Sequence, residues 1–167
     1  KVINETFGPS RGDQLLQQLS QRMRQRLAPG EFLARVGGDE FVVVFSSRAP
    51  GFTDDELEGC ARRLGEAFAG PVPLAPGLQA EVSPSMGIAV FPEDGAEGGL
   101  LLRYADEALY QCKQNRRSRS RWWLRHGATP SMDAHTEQDI AAYGEEASRL
   151  LHKVAPPSKR LQAAIVS

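Results

Sequence analysis

Two adjacent carboxylates, Asp39 and Glu40, follow a Gly37-Gly38 step between two short apolar runs, Phe32-Leu33-Ala34-Arg35-Val36 and Phe41-Val42-Val43-Val44-Phe45. Neighbouring glycines accept the positive φ of a tight turn, so the pattern predicts a β-hairpin with both acids at its tip. Exposed backbone beside two carboxylates leaves room for a triphosphate and its metal ion. Carboxylate and phosphate oxygens are the ligands that Mg²⁺ prefers. The same tetrapeptide also suits an ordinary hairpin tip with solvated acids.

A second group of polar residues lies nearer the start of the chain. Asn4 and Asp13 bracket a segment rich in Gly, Pro and Ser that reads as a loop. Both are ordinary loop and N-cap types. Together they also offer donors and acceptors for a guanine edge. An Asp carboxylate can accept from N1–H and N2–H₂ of guanine, a pair that adenine lacks. Lys113 and Arg117 stand four apart and share one helical face, which a solvated basic helix end would also produce.

Other reactive residue types carry less. Cys60 and Cys112 form no CxxC pair, have no neighbouring His, and each falls on a helical apolar stripe, so buried free thiols are expected. His126, His135 and His152 lack HExxH spacing. Arg116, Arg117, Arg119 and Arg121 beside Trp122 and Trp123 make one short basic cluster on a chain of net charge −1, too little to predict nucleic-acid binding.

The elements that must hold these residues follow from periodicity. Leu15, Leu16, Leu19, Met23 and Leu27 form a helical stripe that predicts a helix over 13–27, ended by Pro29-Gly30. Thr53 with Glu56 is a capping box opening a helix to about Phe68. Residues 78–91 read as strand, strongest over Met86–Phe91, with Pro84 marking an edge or bend. A helix over 100–115 and a closing strand over 120–125 follow. Gly127 to Ser131 reads as a linker. Ile140, Tyr143, Ala147, Leu150 and Val154 form a seam on one more helix over 136–154, either a short coiled coil or a helix docked on its own domain. The residues after Pro156-Pro157 carry no readable signal. The order predicts an α/β (α+β layered) fold, a sheet with helices against it.

The 167 residues suffice for one domain with a core and an appendage, 41% hydrophobic and 25% charged as in soluble globular proteins. No stretch approaches transmembrane length and no signal peptide is read. The chain opens at Lys1-Val2-Ile3 without Met, which suggests a fragment whose preceding strand lies upstream.

Lys1-Val2-Ile3-Asn4, Phe7-Gly8, Gly12-Asp13, Gly37-Gly38-Asp39-Glu40-Phe41 and Arg103-Tyr104-Ala105-Asp106-Glu107-Ala108-Leu109-Tyr110, in this order and spacing, resemble the GGDEF-domain diguanylate cyclases over roughly residues 1–125. The resemblance implies a central, mainly antiparallel, palm-like sheet related to nucleotidyl cyclases. It implies condensation of two GTP into cyclic di-GMP and two pyrophosphates, with Mg²⁺ or Mn²⁺ as cofactor and a homodimer bringing two nucleotides head to head. It implies that Asp39 and Glu40 bind metal and carry catalysis. It further implies that Asn4 and Asp13 contact guanine, that Lys1, Lys113 and Arg117 contact phosphates, and that Gly37 and Gly38 line the substrate. A GGDEF domain over 1–126, a linker and helical extension over 127–167, an upstream sensor domain and a cytoplasmic site are expected, with membrane tethering of a longer protein left open.

Four departures stand against this pattern. The family's metal-binding Asp on the strand before Lys1 is absent from the chain. Pro9 replaces a usual His, and Arg116 a usual Gly. The inhibitory RxxD is replaced by Ala28-Pro29-Gly30-Glu31. The missing metal Asp alone favours an alternative expectation, a regulatory module that binds GTP or cyclic di-GMP without catalysis. A third, a structural dimerisation domain, rests on the C-terminal seam alone.

Overall fold

A computed structural model describes residues 2–46, 52–114, 122–127 and 161–166, the last group by its backbone except for Val166. The seam over 136–154, the linker after Gly127, Lys1 and Arg116 to Arg121 lie outside the described residues. The chain forms α1 (Val2–Phe7), α2 (Pro9–Arg24), β1 (Phe32–Gly37), β2 (Glu40–Ser46), α3 (Asp54–Gly65), a 3₁₀ turn (Glu66–Phe68), β3 (Val72–Ala75), β4 (Leu78–Ala80), β5 (Met86–Val90), α4 (Gly98–Gln114), β6 (Trp123–Arg125) and β7 (Leu161–Val166).

Five strands make the main sheet in the order β1-β2-β7-β5-β6. All neighbours are antiparallel except β5 and β6. The mixed helix-and-strand fold with a mainly antiparallel sheet matches the expectation. Strand β2 explains why its sequence is an unbroken apolar run rather than an alternation, because helices cover both of its faces. Phe41, Val43 and Phe45 meet Met23 of α2 and Leu57, Ala61 and Leu64 of α3. Val42 and Val44 meet Leu101, Leu102, Ala105 and Leu109 of α4. Helix α4 comes so close to β5 that a methyl group at Gly87 would collide with the Ala105 carbonyl and the Leu109 backbone.

Local chemistry accounts for the ends of these elements. The capping box is formed at α3: Glu56 N–H donates to Thr53 Oγ1 at 3.2 Å, and Thr53 N–H donates back to Glu56 Oε2 at 2.9 Å. The segment from Asn4 to Asp13 is helical rather than a loop. Pro9 sits in the first turn of α2, where its missing N–H costs nothing, and Gly8 breaks α1 from α2 at φ 84°. The strand expected over 78–91 is two strands, β4 and β5, with Pro84 in the gap between them.

Strand β3 was hidden in sequence by Pro71, Pro73 and Pro76, which suggest a coil. It pairs with β4 as a two-stranded hairpin. Helix α2 holds it from the side: Arg11 donates to the Leu74 carbonyl at 2.5 Å, Gln18 to Pro73 at 2.5 Å and Arg22 to Pro71 at 2.9 Å. Beneath these bonds, Leu19, Val72, Leu74 and Ala80 form a small apolar cluster of their own.

Strand β7 is the other element that the sequence did not disclose. It comes from the far end of the chain and fills the centre of the sheet, with Val166 opposite both Phe41 and Met86.

Candidate functional site

The hairpin β1–β2 presents the acids as expected. Gly37 pairs with Glu40 across the turn, the register shifts between Arg35 and Gly37, and Gly38 takes φ 46°. Asp39 is exposed, while the Glu40 side chain is partly covered. Helix α4 brings its last turn to the same place, where Lys113 Nζ lies 4.0 Å from Glu40 Oε1. A cation beside one acid of the pair offsets part of the repulsion between two neighbouring carboxylates.

Arg35 was not singled out by sequence reasoning, yet it braces this turn. Its Nε and one terminal nitrogen both donate to the Gly38 carbonyl, at 3.0 and 2.7 Å. Charge-assisted bonds from two donors of one rigid guanidinium fix the direction of that peptide. The peptide leads directly into Asp39. The available signal was position: Arg35 lies two residues before Gly37 on the strand entering the turn.

The second group forms where α1 meets α2. Asn4 and Asp13 are both exposed, and Gly12, the chain neighbour of Asp13, is buried. The side-chain oxygen of Asn4 occupies the place where a Cβ on Gly12 would project. Gly12 is therefore glycine because the Asn4 side-chain oxygen takes the space that a Cβ would need. This contact holds Asn4 next to the residue that precedes Asp13. The two carboxylates with Lys113 thus sit on the hairpin and the end of α4, and Asn4 with Asp13 on the junction of α1 and α2. Lys1 and Arg117 lie outside the described residues.

The position of the family's inhibitory motif is occupied differently. Glu31 is 3% exposed in its side chain and is gripped by Arg63 through two bonds of 2.6 and 2.7 Å. Glu31 also accepts from the Ala28 N–H at 2.6 Å. Arg63 in turn donates to the Arg26 carbonyl at 2.9 Å and lies over the Phe45 ring. The hydrogen bonds from Arg63 to Glu31 raise the Arg63 pKa. Burial pushes the Cys60 thiol up despite the opposing pull of Arg63, and both cysteines are free. His126 stacks on Tyr104 at 4.0 Å between ring centroids.

Among the described residues, no group of three or more His, Cys, Asp or Glu is placed to hold a metal ion. Nor is any helix among them long and apolar enough to cross a membrane.

Residues 1–119 match the family described as diguanylate cyclase, GGDEF domain. The chain belongs to the GGDEF-domain family. It is 34% identical over 121 residues to the diguanylate cyclase TpbB of Pseudomonas aeruginosa, covering 72% of this chain and 27% of that protein. It is 36% identical over 118 residues to the cyclic di-GMP phosphodiesterase PdeR of Escherichia coli, covering 70% of this chain and 17% of that protein. The crystal structure of the TpbB GGDEF domain superposes with a TM-score of 0.67 at 29% identity, over 77% of this chain and 76% of that one. The chain therefore spans about a quarter of the length of TpbB and less of PdeR.

Proposed function

We propose that this chain is a diguanylate cyclase output domain, which condenses two GTP molecules into cyclic di-GMP and two pyrophosphates. The observation that carries the reading is the Asp39–Glu40 pair on a turn braced by Arg35, with Lys113 of α4 reaching Glu40. In the reaction each ribose 3′-OH attacks the α-phosphorus of the other nucleotide. A P–O bond forms, the bond to the pyrophosphate breaks, and the hydroxyl proton leaves to Asp39. Such transfer depends on positioning and on stabilising charge. Asn4 and Asp13 hold the guanine edge. Lys1, Lys113 and Arg117 hold phosphates, and Gly37 and Gly38 let the backbone approach them. Two copies of the chain, each with one GTP, are required face to face.

The donor set suits Mg²⁺ or Mn²⁺ arriving with the nucleotide. Mg²⁺ commonly takes one or two carboxylates and fills its remaining positions with phosphate oxygens and water. Asp39 and Glu40 would hold the ion, which when bound neutralises the leaving pyrophosphate and lowers the 3′-OH pKa. In this reading residues 1–126 carry the nucleotide site, an upstream sensor domain controls it, and the domain works in the cytoplasm.

The second reading is a GTP- or cyclic di-GMP-binding module without turnover. Likeness to a protein named as a phosphodiesterase favours it. Incubation with GTP and Mg²⁺, with chromatographic detection of cyclic di-GMP, separates the two. Product formation that disappears in Asp39→Asn supports the cyclase. Saturable GTP binding without product supports the module.

A further inference from the structure

We propose that Phe7 is a stacking platform for the purine ring whose edge is read by Asn4 and Asp13. The proposal rests on the guanine-nucleotide reading above and assigns that site a residue it did not have. Among the described residues, Phe7 and Tyr110 are the large hydrophobic side chains left exposed, and Phe7 is 45% exposed. A surface aromatic is commonplace on its own. Its surroundings single this one out.

Helix α1 has ways to dock that do not involve Phe7. Ile3 packs against the cluster of Leu19, Val72 and Leu74, and the Asn4 amide lies on Gly12. Phe7 belongs to none of the three apolar clusters. It stands three residues after Asn4, and residues so spaced are neighbours on one helical face. The helix stops directly after it. Gly8, at φ 84°, donates its N–H to the Asn4 carbonyl at 3.1 Å, and α2 turns back toward Gly12 and Asp13. Phe7 thus closes α1 at the corner through which the chain passes from Asn4 to Asp13.

The chemistry divides cleanly. Hydrogen bonds to a base edge distinguish guanine from adenine. Stacking on a π-face contributes to binding of any purine and distinguishes little. Phe7 should therefore supply affinity, and Asn4 with Asp13 the choice of base.

Equilibrium dialysis of the full chain with labelled GTP and labelled ATP, in Mg²⁺, tests this division. Phe7→Ala and Phe7→Leu should each weaken GTP binding about tenfold, with the GTP-to-ATP ratio unchanged. Asp13→Ala should instead collapse the ratio. Phe7→Trp should keep the affinity and gain a tryptophan emission that GTP quenches beyond any quenching in the unaltered chain, which a merely structural role would not produce. GTP binding within about twofold of the unaltered chain in Phe7→Ala, or no added quenching in Phe7→Trp, overturns the proposal. Absence of GTP binding by the unaltered chain overturns the guanine-nucleotide reading itself.

Discussion

Asp39 separates stability from chemistry at the scale of one residue. Its side chain is exposed at a hairpin tip, and substitutions at such sites change stability by no more than about 0.5 kcal/mol. Loss of a metal-binding carboxylate costs several kcal/mol in the transition state, roughly a 10³-fold loss of rate or more. Asp39→Asn should therefore melt with the unaltered protein and make almost no cyclic di-GMP. Turnover near that of the unaltered protein would remove Asp39 from its assigned role. Gly12 offers the complementary case, a residue without a functional group that should still matter for binding. A methyl group there must displace the Asn4 amide. Gly12→Ala should reproduce the GTP affinity of Asn4→Ala, and the double variant should lose no more than either alone. Additive losses in a binding titration would show that the two residues act separately.

At the scale of elements, legibility followed the range of the interactions. The α3 capping box, the β1–β2 hairpin and the stripe of α4 are set by residues within a few positions of one another, and all three were readable. The helical state of Asn4–Asp13 was not, because Gly8 and Pro9 signal a turn while serving as a helix break and a first-turn proline. Strand β3 was unreadable because what holds it, the side chains of Arg11, Gln18 and Arg22, lies about fifty or more residues away in sequence. The place of Asp39 and Glu40 at the hairpin turn was evident from type and spacing. Arg35 was not, since its role depends on the direction of one carbonyl.

Two element-scale expectations follow from packing. Gly87→Ala forces α4 away from β5 against backbone rather than a flexible side chain. Overpacking of this kind should cost about 3 kcal/mol, and a urea melt shifted by less than a third of that would mean that α4 can slide. The Glu31–Arg63 pair bears on feedback. A bidentate pair so deeply covered leaves the Glu31 carboxylate no free face for a ligand, and Ala28 offers no side-chain donor. Cyclic di-GMP should therefore not inhibit at this position. Micromolar or tighter binding of cyclic di-GMP by calorimetry, surviving Asp13→Ala, would reveal an inhibitory site here.

At the scale of the whole molecule, the sheet depends on a strand delivered from beyond residue 160. The sequence offered no sign of it, because Leu161–Val166 follows a proline pair, has no adjacent turn to a partner, and pairs with strands about 70 to 125 residues earlier. Local pattern cannot register a match of that range. Yet β7 joins β2 to β5, and without it the hairpin carrying Asp39 and Glu40 loses its backbone link to β5 and β6. Ala164 sits opposite Val43 on one side and Ile88 on the other. Proline there removes a backbone donor from a central strand, a substitution that sheets tolerate only at edges or bulges. Ala164→Pro should destabilise the domain by about 3 kcal/mol or more, and GTP binding should fall in the same proportion as the folded fraction. A proline placed at Ser158, outside the strand, is the control for chain stiffening. If Ala164→Pro melts with that control, the centre of the sheet does not depend on β7, and residues 1–126 carry their fold alone.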